Sequence, residues 1–168
     1  MEIRSVRADE ATAVAQVHVQ ADAATYRPIF GVRFKAVPLA ESVARWTAAL
    51  GAGDVFLVAV EVGGAIVGFA HAHGGWMSAL YLAASRKRRG IGGRLLAALC
   101  EAVRARGVTE IRFQCVADNA DAIAFYEAMG ARRIGRKREG EGEDAWEELL
   151  FALDTNVATD GPAALRRG

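Results

Sequence analysis

Cysteine is nearly absent from this chain. Cys100 and Cys115 are its two, and neither belongs to a C-x-x-C pair. Without paired spacings there is no disulfide framework and no zinc-ligand set, so no metal is expected. A reducing cytoplasm is the default location. An excess of one charge is also missing: Lys and Arg number 21 against 20 Asp and Glu, a formal net charge of +1. That balance excludes a protein that grips nucleic acid by gross charge. The opening MEIRSVRADE carries Glu2 and Arg4 where a signal peptide needs an apolar run. Internal repeats are lacking. Disorder is excluded by what is abundant, a hydrophobic content of 52% over 168 residues, enough for one domain with a buried core.

An unbroken apolar run of membrane length is lacking too. Val62 to Ser85 contains no formally charged residue and precedes Arg86-Lys87-Arg88-Arg89. That arrangement imitates a membrane span with a cytoplasmic anchor. However, Gly63-Gly64 and Gly74-Gly75 interrupt it as turn-like pairs, and Gly68, His71 and His73 fall inside it. Strands and turns are expected there, and no membrane partner.

Periodicity supplies the elements. Residues 2–7 alternate as a first strand, and Ala8 to Ala24 reads as a helix with Asp9 as its N-cap. A loop is expected from Tyr26 to Pro38. A second helix follows over 39–50, with Leu39, Val43, Trp46 and Leu50 on one face. Strands are predicted at 55–61, 65–72 and 77–83, the first two joined by a Gly63-Gly64 hairpin. A helix over 95–106, stopped by Gly107, leads to a strand at 109–117. A short helix at 119–129 and two strands, 131–138 and 145–153, complete the pattern. This order gives an α/β domain around one mixed sheet. The polar tail after Asp154 is expected to be loosely ordered.

The chemistry concentrates in residues 79–99, where an apolar strand runs through a basic, glycine-rich turn into a helix. A helix N-terminus offers free N–H groups and partial positive charge. Gly90, Gly92 and Gly93 let backbone approach a ligand, and Lys87, Arg88, Arg89 and Arg94 add charge. The fitting guest is a phosphate or pyrophosphate. The Walker pattern is absent, and the Rossmann pattern fails at Leu95. An ordinary strand-to-helix turn explains Gly90-Ile91-Gly92 equally well. A second segment reads N-A-D-A-I-A-F-Y-E-A-M-G over 119–130, placing Asn119 and Tyr126 two helical turns apart on one face. Alone, it is also readable as a helix cap and two core aromatics.

Together the two segments resemble the GCN5-related N-acetyltransferase (GNAT) superfamily. Its [QR]-x-x-G-x-[GA] motif corresponds to Lys87-Arg88-Arg89-Gly90-Ile91-Gly92, with Lys in place of Gln or Arg. Its N-x-x-A-x-x-F-Y-x-x-x-G segment is matched by Asn119, Ala122, Phe125, Tyr126 and Gly130. The resemblance implies a GNAT domain over 1–153, with a mostly antiparallel twisted sheet flanked by helices, and a tail over 154–168. It implies acetyl-CoA as co-substrate and a primary amine of a small molecule or peptide as acceptor. Leu80, Tyr81 and Leu82 would offer backbone to the acetyl and pantetheine groups. The amides of 88–93, including Gly93, would cradle the pyrophosphate. Asn119 would touch the pantetheine arm. Tyr126 would protonate the departing thiolate, since a phenol titrates near 10 and a thiol near 8.5. The resemblance also allows a homodimer.

The base is open. Ribosomal-protein N-terminal acetyltransferases of the family place a Glu where this chain has Gln114, and other relatives place an acid where it has Trp76. That gap keeps a second reading alive, a non-catalytic acyl-CoA-binding or regulatory module. His71 and His73 share one strand face and are candidate bases, or else strand residues with ordinary hydrogen bonds. A water relay to bulk is a third option. Tyr26, Arg27 and Phe30 in the expected loop are candidate acceptor-binding residues, together with the hairpin near Arg138–Ala145, or else that loop simply packs between the helices. The acidic run from Glu139 to Glu148 either attracts a cationic amine or is a solvated turn paired with the basic run Arg132–Arg138.

Overall fold

The structure, a computed structural model, describes residues 1–61 and 63–156. Strand β1 (Glu2–Ser5) leads into α1 (Ala11–Phe30), α2 (Leu39–Gly51), β2 (Val55–Val60), β3 (Ile66–His73) and β4 (Trp76–Leu82). Then come α3 (Ile91–Arg104), β5 (Glu110–Val116), α4 (Ala120–Ala128), β6 (Arg132–Glu139) and β7 (Trp146–Asp154). The order of strands and helices is the one expected from the sequence. The strands form one seven-stranded sheet, β1-β2-β3-β4-β5-β7-β6. Every neighbouring pair is antiparallel except β4 and β5, which α3 connects.

Both sheet faces are covered, which explains why β2 reads VFLVAV without polar alternation. Val55, Leu57 and Ala59 pack with Leu95, Leu96 and Leu99 of α3. Phe56, Val58 and Val60 pack on the other face with Val14 and Ala15 of α1 and Trp46 of α2. On that face, buried His18 ties the two helices together. Its Nδ1 lies 2.8 Å from Ser42 Oγ and accepts from Trp46 Nε1 at 3.2 Å.

The first helix departs from expectation at both ends. It runs past Ala24 to Phe30, through Pro28, so Tyr26 and Phe30 are helical, not in a loop. Pro28 removes one N–H and crowds the carbonyl four residues back. It sits in the last turn, which closes at Gly31 with φ +56° and its N–H on the Arg27 carbonyl. At the other end Asp9 does not cap the helix; a 3₁₀ turn, Ala8–Glu10, precedes it. Buried Glu10 fixes this entry, accepting from Arg7 N at 2.8 Å and from Arg4 at 2.7 and 2.9 Å.

The hydrogen bond from Arg4 holds the Glu10 carboxyl down from its ordinary 4.5 to about 2. The unfolded chain regains the ordinary value and binds its proton first as pH falls. The stabilisation is therefore full above about 4.5 and lost between about 4.5 and about 2. The denaturant midpoint is expected to fall across that window, with a shallower fall in Glu10→Gln.

Among the described residues no helix is long and apolar enough to cross a membrane. From Gly63 on, the uncharged stretch to Ser85 holds β3 and β4, entered by a turn in which Gly63 and Gly64 take φ of +101° and +88°. Past β7, buried Thr155 anchors the chain by donating to the Val108 and Thr109 carbonyls, each at 3.1 Å. The expectation of a loose tail falls mostly on 157–168, outside the described residues.

Candidate active site

β4 and β5 pair through the single bridge Trp76↔Arg112, supported by Arg112 N donating to the Gly75 carbonyl at 2.8 Å. Beyond it the two strands diverge. The gap is a cleft of about 600 Å³, lined by α1, β4, the basic turn, β5 and α4. Leu80, Tyr81 and Leu82 line it from β4. Beyond the bridge β5 does not pair with β4, so the β4 backbone edge there faces the gap.

At one end lies the turn singled out in the sequence. Arg88 and Gly90 both adopt left-handed backbone, φ +62° and +75°, just before α3 begins. For a non-glycine residue this conformation is strained, and such alternation turns successive N–H groups into an anion-binding concavity. Gly92 and Gly93 line the cleft in the first turn of α3. A Cβ at Gly92 would stand 3.6 Å from the Phe125 ring, inside the space the cleft now offers. Lys87 lines the cleft and donates to Thr25 Oγ1 at 3.4 Å. Ile91 is different: its side chain is buried in the core. Arg89 is exposed and does not line the cleft. Arg86 is held by Glu61 at 2.5 and 2.8 Å.

At the other end Asn119, Tyr126 and Tyr26 line the cleft together. Asn119 Oδ1 caps α4 by accepting from Ala122 N at 3.2 Å, and its side chain also interacts with the Tyr26 hydroxyl. Burial raises the Tyr126 phenol far above its ordinary 10, so it stays protonated. Burial pushes the neighbouring Cys115 thiol up to about 11 and the Tyr26 phenol up to about 12. The cleft thus holds neutral hydroxyls and a neutral thiol.

The acceptor-side residues converge only in part. Phe30 does not line the cleft; it bridges Tyr26 and Trp146, at ring distances of 6.0 and 5.9 Å. Arg33 donates to the Glu143 carbonyl at 2.9 Å, joining the end of α1 to the β6–β7 hairpin. The basic and acidic runs do pair: Arg136 meets Glu147 at 2.7 Å, and Lys137 meets Glu139. One member of the acidic run behaves differently. Glu148 is buried, its Oε1 accepting from Trp146 Nε1 at 3.0 Å while Oε2 has no hydrogen-bond partner among the described residues. Its charge lies near enough to Tyr26 and Cys115 to raise both their pKa values.

His71 and His73 do not line the cleft. His71 is buried between the Trp46 and Phe56 rings, and His73 lies at the surface. Both hydrogen-bond Asp54, and His71 also meets Ser78, which does line the cleft. Ser78 and Asp54 carried no signal in the sequence: neither belongs to a motif, and a strand bulge brings Ser78 into place. Gln114 lines the cleft with an amide that cannot act as base, and Trp76 stands at the bridge. Among the described residues no group of three or more His, Cys, Asp or Glu could hold a metal ion.

The fold is shared with solved acetyltransferases. A ribosomal-protein-alanine N-acetyltransferase from Brucella melitensis superposes with a TM-score of 0.73 at 23% identity, covering 92% of this chain and 99% of that one. An acetyltransferase from Salmonella typhimurium, solved with its cofactor acetyl-CoA, gives 0.70 at 17% identity over 92% and 94% of the two chains. A phosphinothricin acetyltransferase from Sinorhizobium meliloti, in complex with acetyl-CoA, gives 0.70 at 20% identity over 91% and 87%. No curated protein sequence matches the chain. The Acetyltransferase (GNAT) family model matches residues 23–131, spanning the cleft from α1 to the end of α4, and the chain belongs to that family.

Proposed function

We propose that the chain transfers the acetyl group of acetyl-CoA to a primary amine of a small molecule or peptide, with Tyr126 as general acid. One observation carries this reading: a basic turn with left-handed backbone at Arg88 and Gly90 lines the same cleft between diverging strands as a protonated phenol. The residues fit acetyl-CoA. The backbone of 88–93 suits a pyrophosphate, and the β4 edge at Leu80–Leu82 suits the amides of a pantetheine arm. Bound there, acetyl-CoA supplies an activated thioester. A β4 N–H near Leu82 can stabilise the negative charge that develops on its carbonyl oxygen. Tyr126 gives its proton to the departing sulfur. Cys115, held neutral by burial, is a poor nucleophile, which favours direct transfer over an acetyl-cysteine intermediate.

The acceptor is a cationic amine. Tyr26, Phe30 and Trp146 form an aromatic wall, and beside it lies the buried Glu148 side chain, whose Oε2 has no hydrogen-bond partner among the described residues. A charge-assisted hydrogen bond contributes about 1.5–3 kcal/mol. Glu148→Gln is therefore expected to raise the KM for the amine about tenfold or more while the KM for acetyl-CoA holds. An unchanged amine KM would remove Glu148 from recognition. The function itself is tested by offering acetyl-CoA with a panel of amines and detecting free thiol. Amine-dependent release supports transfer; binding of acetyl-CoA without release identifies a non-catalytic acyl-CoA module.

A further inference from the structure

We propose that Ser78 and His71, braced by Asp54 and His73, form a relay that takes the proton from the acceptor amine and returns it to solvent after transfer; this rests on the transferase reading above and supplies the base it lacks. Ser78 owes its position to the β3–β4 register. His71 faces Ala79 and Ala72 faces Met77, so Ser78 is the extra residue of a bulge. A bulge re-aims its side chain, and this one lines the cleft while meeting β3. Ser78 Oγ lies 2.6 Å from His71 Nδ1, and His71 Nε2 lies 2.8 Å from Asp54 Oδ2. Asp54 Oδ1 in turn lies 2.5 Å from His73 Nδ1. The chain of contacts runs outward: the His71 and Asp54 side chains are 7% and 8% exposed, and that of His73 is 77% exposed.

The hydrogen-bond directions follow from the carboxylate. Burial pushes the Asp54 carboxyl up, but the hydrogen bonds from His73 and His71 outweigh this and hold it below its ordinary value. Ionised, it can only accept, so His71 donates through Nε2 and its Nδ1 is left as an acceptor. Ser78 must then donate its one proton to Nδ1. Its lone pairs remain for a donor in the cleft, and an ammonium group is such a donor. Burial, opposed by Asp54, lowers the His71 pKa, so the ring rests neutral and able to receive. The charged and titratable groups facing it are Asp54 before β2, His73 on its own strand and Arg45 of α2, with Ser78 on β4.

The step balances in protons. One amine N–H proton passes to Ser78 Oγ as the Ser78 proton passes to His71 Nδ1. The freed nitrogen pair forms the C–N bond, the C–S bond breaks, and the Tyr126 proton goes to sulfur. After Tyr126 is reprotonated from the second amine proton, one proton remains. His71 holds it as imidazolium against Asp54, which His73 also braces, and gives it back through Ser78 Oγ to water once the products leave the cleft. An ammonium and a thioester become an amide, a thiol and one released proton.

The test uses the full chain with Ser78→Ala and His71→Gln. Each is expected to lower kcat at pH 7 about 100-fold, the scale of a lost general base, with the acetyl-CoA KM unchanged. The deficit should shrink as pH rises and the free amine deprotonates in solution. Wild-type kcat in Ser78→Ala overturns the relay, as does a loss of equal size at every pH. Because His71 is buried, the smaller Ser78→Ala variant decides the matter if His71→Gln fails to fold. Long-range ¹H–¹⁵N spectra of wild type read the relay without turnover: a neutral Nε2–H tautomer at His71, its Nδ1 signal shifted in Ser78→Ala. An Nδ1–H tautomer, or an imidazolium at pH 7, overturns it. Absence of amine-dependent thiol release by wild type counts against the transferase reading alone, and the spectra then decide the relay.

Discussion

Tyr126→Phe is expected to lower kcat by about two to three orders of magnitude at pH 7, the range of a lost general acid. The substitution removes one oxygen and leaves the ring. Its packing against Phe113, Phe125 and Phe151, at ring distances of 4.4, 5.2 and 6.1 Å, survives. The acetyl-CoA KM should therefore change little, because the phenol acts on charge that appears only as the C–S bond breaks. The size of the effect should also depend on the leaving group. A thioester whose thiol is more acidic needs less help, so the variant should recover most of its deficit with an acetyl aryl thioester. A constant deficit across leaving groups would mean that Tyr126 positions the substrate. A wild-type kcat with acetyl-CoA would remove it from the chemistry.

The resting chemistry of the cleft explains why this prediction concerns proton delivery. Burial keeps Tyr126, Tyr26 and Cys115 neutral. The burial that raises the phenol pKa also raises that of a thiol in the same site, as at Cys115, so an expelled thiolate is basic enough to take the phenol proton. The same dryness makes an expelled thiolate costly unless it is protonated as it leaves. The amine has the opposite need, to lose a proton, and the residues suited to that lie on the α1–α2 side of the sheet, around His71 and Glu148. Proton donor and proton acceptor are thus held on different elements, α4 and β3, on either side of the diverging strands.

Local pattern made most of this fold legible, and long-range geometry hid the rest. The continuous apolar run of β2 and the glycine turn before α3 read correctly because the causes are local: two covered faces, and a left-handed residue before a helix. The extension of α1 through Pro28 did not, because proline reads as a helix breaker and its tolerance in a final turn depends on Gly31 closing the end. The spacing of His71 and His73 places them on one strand face as candidate bases or ordinary strand residues, and the structure sets both outside the cleft wall. The decisive partners, Asp54 and Ser78, come from a loop before β2 and a bulge in β4, which sequence spacing does not register. Glu148 was lost in an acidic run whose other members Glu139 and Glu147 form ion pairs with Lys137 and Arg136. Only burial distinguishes it.

Gly90→Val is expected to raise the acetyl-CoA KM about tenfold or more while kcat at saturation is kept. Steric clash is not the cause, since nothing lies within 4 Å of a Cβ built at this position. The cause is the backbone. Gly90 holds φ at +75°, and an L-residue there costs roughly 1–2 kcal/mol, more when β-branched. The variant turn relaxes away from the left-handed geometry, and the ligand must restore it on binding; 1.4 kcal/mol is about a factor of ten. Arg88→Gly makes the opposite test. Arg88 already stores strain at φ +62°, so glycine relieves it and keeps the left-handed backbone of the turn. If backbone amides hold the pyrophosphate, Arg88→Gly should bind acetyl-CoA nearly as well as wild type, and moderate salt should weaken binding only slightly. If side-chain charge holds it, the ranking reverses: Arg88→Gly becomes the weaker binder, Gly90→Val stays near wild type, and salt weakens both. Measuring the two variants at low and high ionic strength separates a cradle built of N–H groups from a patch built of guanidinium groups.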